Sequence, residues 1–338
     1  MRRIADALLL IAIVVFGAVL RFGGIAIPSL WLDEILDYDV ATKLTHEPLW
    51  RWLTGFASEH GPLFFATELA GRFAHAPEFA ARFAPAAFGV MAIVIGAVGC
   101  RVSGGGNDRE GCAESLTFAL LLSGSPLAIY YSREARPYAL LMLLATAMLA
   151  LLLRTCGAGK PWLAIALLVL TLFATSGAAP LLVATALTAV IAFAFDRRRF
   201  FAIYAIAALV AAALIPLLYR RMPGNAAAAG FRPLNARFFQ RLLQSFSIGA
   251  LDVTTIHRAT YVVAALALVG AIALVQRDRT RGAIVIGMAV LPIVVSMAAL
   301  WKLRHWYAVR YVATALPAYL LLVAIGIVTL LRLMLRGR

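Results

Sequence analysis

Long apolar stretches recur along the whole sequence, and they constrain the fold more than any other feature. About ten of them approach the ~20 residues that a helix needs to cross a bilayer, at 6–26, 82–100, 114–131, 137–153, 162–178, 180–195, 200–219, 259–275, 283–300 and 311–331. Hydrophobic residues make up 63% of the 338-residue chain, against roughly 45–50% in globular proteins. The pattern predicts an all-α integral membrane protein of about ten transmembrane helices in one domain, 1–338.

The distribution of arginine and lysine predicts the orientation of these helices. Short basic segments join the stretches, as at Arg197–Arg199 and around Arg277–Arg281. Positive charge concentrates on the cytoplasmic side of membrane proteins, so both termini are predicted to be cytoplasmic and 6–26 to be an uncleaved first helix. The same bias, with contact to anionic membrane lipids, accounts for the net charge of +15 without a nucleic-acid partner.

Two longer segments, 27–81 and 220–258, are predicted to face the outer side. Connections of this length usually carry structure or function. In the first, a Trp-rich apolar pattern predicts an interfacial helix over 47–57, and Gly61-Pro62 begins another over 61–75. If the second helix crossed the membrane, every later loop would change sides, against the charge bias. The sequence favours an interfacial position and leaves a crossing open.

Polar residues gather on the predicted outer side. A carboxylate beside the bilayer is costly unless it is paired or used. Each residue alone also has a local explanation, as a lipid contact, a helix cap or part of a surface ion pair. Their presence together favours a catalytic or binding site. The candidates are Asp33, Glu34, His60, Arg133, Glu134, Arg136, Tyr138, Arg220, Arg221, Arg310 and Tyr311.

Five segments, in order, resemble the GT-C superfamily of integral-membrane glycosyltransferases, in particular the bacterial relatives of the dolichyl-phosphate-mannose–protein mannosyltransferases. They are the acidic pair Asp33–Glu34 after the first span, HGPLFF at 60–65, PEFAARFAPAAFGV at 77–90, SPLAIYYSREARPYALL at 125–141 and RYVATALPAYLLL at 310–322. The resemblance is dense over about 6–155 and thin over 160–300. It implies a GT-C-like bundle in the bacterial inner membrane with a periplasmic active site.

The resemblance also implies a reaction. A hexosyl or pentosyl group moves, with inversion, from a polyprenyl phosphate such as undecaprenyl phosphate to a glycan, lipid or protein acceptor of the cell envelope. Asp33 matches the general base of the family, which takes the proton of the acceptor hydroxyl, while Glu34 and Glu134 either orient the acceptor or pair with arginines. Arginines stabilise the departing phosphate. The candidates for that role are Arg133, Arg136 and Arg310, followed by Arg220 and Arg221.

The sequence departs from the family pattern at two positions. Gly61 stands where relatives often carry Lys or a second Pro, so His60 or an arginine has to replace that cation at the phosphate. Thr175-Ser176 stands where many relatives have Thr-His, so no metal or acceptor role of that histidine is expected. Larger relatives add an outer soluble domain or further spans. Neither is expected in this chain, which favours a small or lipid-linked acceptor.

Metal use and two other functions are left open by the sequence. The carboxylates alone do not demand a cofactor; a divalent cation such as Mg²⁺ or Mn²⁺, if one is bound, would be held by Asp33, Glu34 and Glu134. A transporter or flippase of lipid-linked sugars predicts charged residues or Gly/Pro breaks near the middle of the spans, which are nearly free of ionisable residues here. A non-catalytic membrane scaffold would be indifferent to the residue at Asp33.

Overall fold

The structure, a computed structural model, consists of helices throughout the residues that it describes. Those residues are 2–44, 46, 48, 60–69, 73, 76–100, 108–158, 161–219, 236–249, 258–302 and 308–336. The α-helices are α1 (Arg2–Phe22), α2 (Leu32–Leu44), α3 (Pro62–Leu69), α4 (Pro77–Gly99), α5 (Asp108–Gly124), α6 (Pro126–Ser132), α7 (Tyr138–Ala158), α8 (Pro161–Leu172), α9 (Ala179–Phe195), α10 (Arg199–Leu218), α11 (Ala236–Ile248), α12 (Arg258–Arg277), α13 (Arg279–Lys302) and α14 (Leu316–Arg336). Short 3₁₀ helices at Ser176–Ala178 and Val309–Ala315 precede α9 and α14.

Each of the ten predicted spans coincides with a helical segment, which confirms the all-α membrane fold. Seven helices in the described chain are long and apolar enough to cross a membrane, and an eighth is added if the bent pair α5–α6 is one span. The apolar parts of α7 and α8, Tyr138–Arg154 and Trp162–Leu172, are shorter. The protein is therefore a multi-pass membrane protein. Helices are favoured because each satisfies its own backbone hydrogen bonds inside lipid.

The bundle is held by close helix packing as well as by apolar side chains. Where α12 crosses α14, a Cβ added at Gly270 would lie 1.9 Å from the carbonyl oxygen of Leu322, and one added at Gly326 would lie 2.0 Å from that of Leu266. Only glycine at both positions allows this approach, as is common where transmembrane helices pack closely. Helix α1 is the opposite case, because only 17% of its most apolar stretch is buried and most of its surface is left for lipid.

The predicted span 114–131 is not one straight helix, because α5 and α6 meet at an angle of 59°. Pro126 has no N–H to bond to the carbonyl of Leu122 four residues before it. The fully buried Arg21 of α1 fills this place: its Nη2 donates to Leu122 O and its Nη1 to Ser123 O, both at 3.0 Å. Its Nε donates to Ser132 Oγ at 3.3 Å, so one guanidinium joins both halves of the bend.

Short helices occupy the described parts of the long segments 27–81 and 220–258. Helix α2 begins at the acidic pair and was not delimited from sequence. The helix predicted over 61–75 is present in the described residues as α3, and 70–72, 74 and 75 lie outside them. The helix predicted over 47–57 lies outside the described residues, apart from the single position 48. In the second segment, α11 buries Leu242 and Phe246.

Candidate functional site

Glu34 joins α2 to the segment between α6 and α7. Its carboxylate is 1% exposed. Oxygen Oε1 accepts hydrogen bonds from Arg82 Nε at 3.0 Å and from the Ala135 backbone N–H at 2.8 Å. Oxygen Oε2 accepts from Arg82 Nη2 at 2.6 Å and from the Trp31 N–H at 3.2 Å. The last bond is one half of a capping box, because Glu34 is the third residue of the helix that follows Trp31. Glu34 is thus fully engaged in holding structure.

Arg82 is the partner that sequence analysis did not select. Its Nη1 donates to the carbonyls of Ile25 and Pro28 at 2.9 and 2.6 Å, and its Nη2 donates to Ser29 O at 3.0 Å. These carbonyls lie in the irregular chain between α1 and α2, where no helix satisfies them. A buried arginine with a carboxylate and three carbonyls is well compensated. It fixes the turn that delivers the acidic pair.

Asp37 was also missed, and it anchors the second arginine of the segment 133–136. It follows Glu34 by three residues and Asp33 by four, so all three carboxylates lie on neighbouring positions of the α2 surface. Its Oδ2 lies 2.5 Å from Arg136 Nη1 and 3.3 Å from His60 Nε2. All three side chains are buried. Arg136 is therefore charge-compensated within the protein.

His60 and Gly61 pair with the segment after α8 in a short antiparallel contact. His60 bridges Thr175, with its Nδ1 3.3 Å from Thr175 Oγ1, and the Gly61 N–H donates to Ala174 O at 2.9 Å. A Cβ at position 61 would lie 2.2 Å from Phe173 O and 2.3 Å from the Tyr219 hydroxyl. Gly61 thus lies beside the segment that carries the second departure from the family pattern, Ser176 in place of histidine. Neither Lys nor Pro fits at position 61 in this arrangement.

Asp33 and Arg133 are the charged candidates left open by this network. Both side chains are partly exposed, and neither forms an ion pair or hydrogen bond with any residue that the structure describes. Glu34 bonds to the N–H of Ala135, so each of the two residues lies within two positions of that contact. An anionic and a cationic group are consequently available to a ligand in one place.

Glu134 follows Arg133 in the sequence and is buried. No described residue donates a hydrogen bond to its Oε2. The pKa of Glu134 is raised to about 7, chiefly by burial and to a lesser extent by the charges of Glu34 and Asp33, although Arg136 and Arg310 lower it. A carboxyl group that titrates near neutrality and has unused hydrogen-bonding capacity is characteristic of functional sites.

Arg310 and several aromatic residues lie beside Glu134, next to α7 and α14. The Arg310 guanidinium carbon lies 5.2 Å from the centroid of the Tyr311 ring, and its Nη2 is 3.4 Å from the Tyr311 hydroxyl. Arg310 is also close enough to Glu134 and Tyr138 to interact electrostatically with both. Tyr138 is buried against Tyr131, with ring centroids 5.2 Å apart. The candidates Arg220 and Arg221 lie outside the described residues.

The three carboxylates proposed from sequence as metal ligands do not fit a metal ion as a set. Both oxygens of Glu34 already accept two hydrogen bonds each, half of them from Arg82. Within the described chain, no group of three or more His, Cys, Asp or Glu side chains is arranged to hold an ion. No catalytic step is therefore derived through a metal.

No protein-family model matches the chain, and no curated protein matches its sequence. Solved structures do match. The chain superposes on ArnT from Cupriavidus metallidurans in the apo state with a TM-score of 0.64 over 96% of its own length, at 14% identity. It superposes on the same protein bound to undecaprenyl phosphate with a TM-score of 0.59 over 94%, at 15% identity. ArnT is a GT-C glycosyltransferase. The chain has the GT-C fold.

The match to the GT-C fold covers nearly all of this chain but only part of its neighbour. The chain spans about 60% of the length of ArnT. At this identity the likeness establishes the architecture alone. The site residues are held in place by the contacts within this protein. The described polar site and the acidic pair lie where α1 leads into α2, within the matched fold.

Proposed function

We propose that this chain is a GT-C glycosyltransferase that moves a sugar from a polyprenyl-phosphate carrier to a hydroxyl of a small or lipid-linked acceptor, at the periplasmic face of the bacterial inner membrane. The observation that carries the proposal is that neither Asp33 nor Arg133 has an ion-pair partner among the described residues, beside a network in which Glu34 and Asp37 are already paired with arginines. The neighbour that binds undecaprenyl phosphate supports the choice of carrier.

The reaction needs a proton acceptor on one side of the sugar. Asp33 takes the proton of the acceptor hydroxyl, and the oxygen of that hydroxyl attacks the anomeric carbon from the face opposite the carrier. The bond from that carbon to the phosphate oxygen breaks, so the configuration inverts. The products are the glycosylated acceptor, the polyprenyl phosphate with one additional negative charge, and protonated Asp33. No separate acid is required, because phosphate leaves as an anion.

The reaction also needs a cation where the negative charge develops. Arg133 fits this role best, because its guanidinium is not neutralised by a described carboxylate, whereas Asp37 neutralises Arg136. Arg310 is held near the same site by Tyr311 and contributes positive potential. Preorganised donors of this kind stabilise a transition state because they need no reorganisation when the charge appears. Arginine to phosphate contacts are among the strongest hydrogen bonds in proteins.

Glu134 is proposed to orient the acceptor. It is buried next to Arg136 and interacts electrostatically with Asp33. Once ionised, it accepts a hydrogen bond from a second acceptor hydroxyl and raises the basicity of Asp33. Glu34 is proposed to position Asp33 and Ala135 without touching substrate, which its four accepted hydrogen bonds support.

The base assignment is tested by transfer assays on the purified protein in lipid nanodiscs, with undecaprenyl-phosphate-linked sugars as donors. Asp33→Asn is expected to lower transfer by about 10²–10⁴-fold while undecaprenyl phosphate binding and thermal unfolding stay unchanged. Asp39→Asn is the matched control, because Asp39 lies on the same helix in an exposed pair with Lys43. Activity retained in Asp33→Asn overturns the assignment.

The phosphate assignment is tested in the same preparation by direct binding. Arg133→Gln is expected to weaken undecaprenyl phosphate binding by about 10-fold or more, since a hydrogen bond to a charged group contributes ~1.5–3 kcal/mol. Arg336→Gln is the control, because Arg336 is exposed and lies at the C-terminal end of α14. Unchanged affinity in Arg133→Gln would remove this residue from the leaving-group site.

A further inference from the structure

Glu68 on α3 is a buried acid that the proposed mechanism does not use. Its side chain is 1% exposed, and neither carboxyl oxygen receives a hydrogen bond from any described residue. Buried polar groups in native proteins almost always have partners, and a buried carboxylate without one is strongly disfavoured. Glu68 therefore needs an explanation beyond packing.

The described charged groups around Glu68 balance one another when Glu68 itself is left out. Helix α2 contributes Glu34 and Asp37, and the segment 133–136 contributes Arg136; all three interact electrostatically with Glu68. Arg82 of α4 is bound to Glu34, and Arg136 to Asp37. The two carboxylates are thus matched by two arginines. A negative charge on Glu68 would be a third carboxylate without a matching cation among the residues that the structure describes.

His60, the remaining titratable group of this cluster, faces Asp37 and Thr175. Burial raises the pKa of Glu68 well above its usual range, and the charges of Asp37 and Glu34 raise it further, while Arg136 lowers it. Both the charge balance and the burial favour the neutral acid.

We propose that Glu68 carries a proton in the working enzyme and is a positioning residue, whose neutral side chain leaves Arg136 bound to Asp37. If Glu68 lost the proton, it would compete with Asp37 for Arg136. The segment 133–136 would then be drawn away from Glu34, and Arg133 would move with it. The inference deepens the proposed function, because it makes the phosphate site depend on a proton held on a different helix.

Infrared spectroscopy tests the proton independently of any activity. Purified wild-type protein at neutral pH is expected to show the C=O stretching band of a protonated carboxylic acid, shifted in D₂O, and the band is expected to lose intensity in Glu68→Gln. Glu78→Gln is the control, because Glu78 is only partly buried in the first turn of α4. Equal bands in wild type and Glu68→Gln would overturn the proposal.

Binding of undecaprenyl phosphate as a function of pH tests the positioning role. Wild-type affinity is expected to fall about 10-fold at alkaline pH as Glu68 ionises. Glu68→Gln is neutral and nearly isosteric, so it should keep its affinity over the same range. A purely structural glutamate would give identical pH profiles in the wild type and in Glu68→Gln. Identical profiles would therefore overturn the positioning role.

Two arms keep these results distinct from the proposed function itself. If no protein binds undecaprenyl phosphate at any pH, the proposed function fails, and the infrared result still decides whether Glu68 is protonated. If Glu68→Gln does not fold, the carboxylic acid band and the binding of undecaprenyl phosphate are both titrated in Glu134→Gln, which lacks the acid with a pKa of about 7. The loss of the band must then follow the same pH as the loss of binding, and a band lost at a different pH overturns the link.

Discussion

At the scale of single residues, two neighbours in the sequence have different surroundings. Glu34 is enclosed by Arg82, Trp31 and Ala135, whereas Asp33 is turned by the helix to a position without described partners. Successive residues of a helix point about 100° apart, so the structural Glu34 and the proposed base Asp33 face different surroundings. The sequence marked the pair but left the role of Glu34 open.

Glu134 gives the residue scale its pH dependence. Burial raises its pKa to about 7, so the side chain is neutral below that pH and ionised above it. Transfer (as kcat/KM) is expected to rise as pH increases through this value, because the ionised form accepts a stronger hydrogen bond from the acceptor hydroxyl and favours proton transfer to Asp33. The step should be missing in Glu134→Gln and present in Glu78→Gln. A step of the same size in Glu134→Gln would contradict the role.

The residues that sequence analysis missed share one physical property. Arg82, Asp37 and Glu68 each act through groups that are distant in sequence, as in the pairs Arg82–Glu34 and Arg136–Asp37. Local patterns carry no information about such pairs. By contrast, Asp33, Arg133 and Glu134 stood out because they are charged and lie beside apolar spans. The segment 125–141 contains Arg133 and Glu134, which stood out in this way, and Arg136, whose partner Asp37 is distant in sequence. Its residues were therefore easier to select as candidates than Arg82, Asp37 or Glu68.

At the scale of elements, apolar length predicted the helices but not their breaks. A span of ~20 apolar residues is helical in lipid whatever its neighbours do, so the ten positions could be found from composition alone. The bend between α5 and α6 depends on Pro126 together with Arg21, a residue more than a hundred positions earlier. Helix α2 was not delimited because its sequence alternates acids and apolar residues without a clear face.

The bend yields a prediction about stability. Arg21→Met should lower the thermal unfolding temperature, because the carbonyls of Leu122 and Ser123 lose their buried donors, each at a cost of ~1–3 kcal/mol. Arg199→Met, an exposed change at the start of α10, is the control. Scanning fluorimetry in detergent measures both variants. Equal unfolding temperatures would show that the bend does not depend on Arg21.

At the scale of the whole molecule, two charged clusters lie at opposite ends of the bundle. The candidate site is at the end where α1 leads into α2. At the other end, Arg277 of α12 binds Glu114 of α5 at 2.6 Å and Thr329 of α14 at 2.8 Å, while Arg332 binds Glu110 at 2.6 Å. This second cluster ties together α5, which leads into the bend, and α14, which follows Arg310.

The second cluster is expected to be structural. Arg277→Gln should lower the unfolding temperature, because the buried Glu114 loses its cation, while undecaprenyl phosphate binding at the far end stays unchanged. Arg279→Gln is exposed and two residues away, which makes it a close control. Both quantities are measured on the same nanodisc preparation. A loss of donor affinity that exceeds the loss of stability would show that the two ends are coupled.

One carboxylate thus serves as the common reference point for the reacting groups. Glu34 closes the first turn of α2 and accepts a hydrogen bond from the N–H of Ala135. The proposed base and the proposed phosphate ligand are therefore both positioned by the same carboxylate. Their separation is consequently insulated from changes in the long connecting segments on the same side of the protein. Acceptor preference could therefore diversify through those segments in evolution or engineering while the chemistry stays intact.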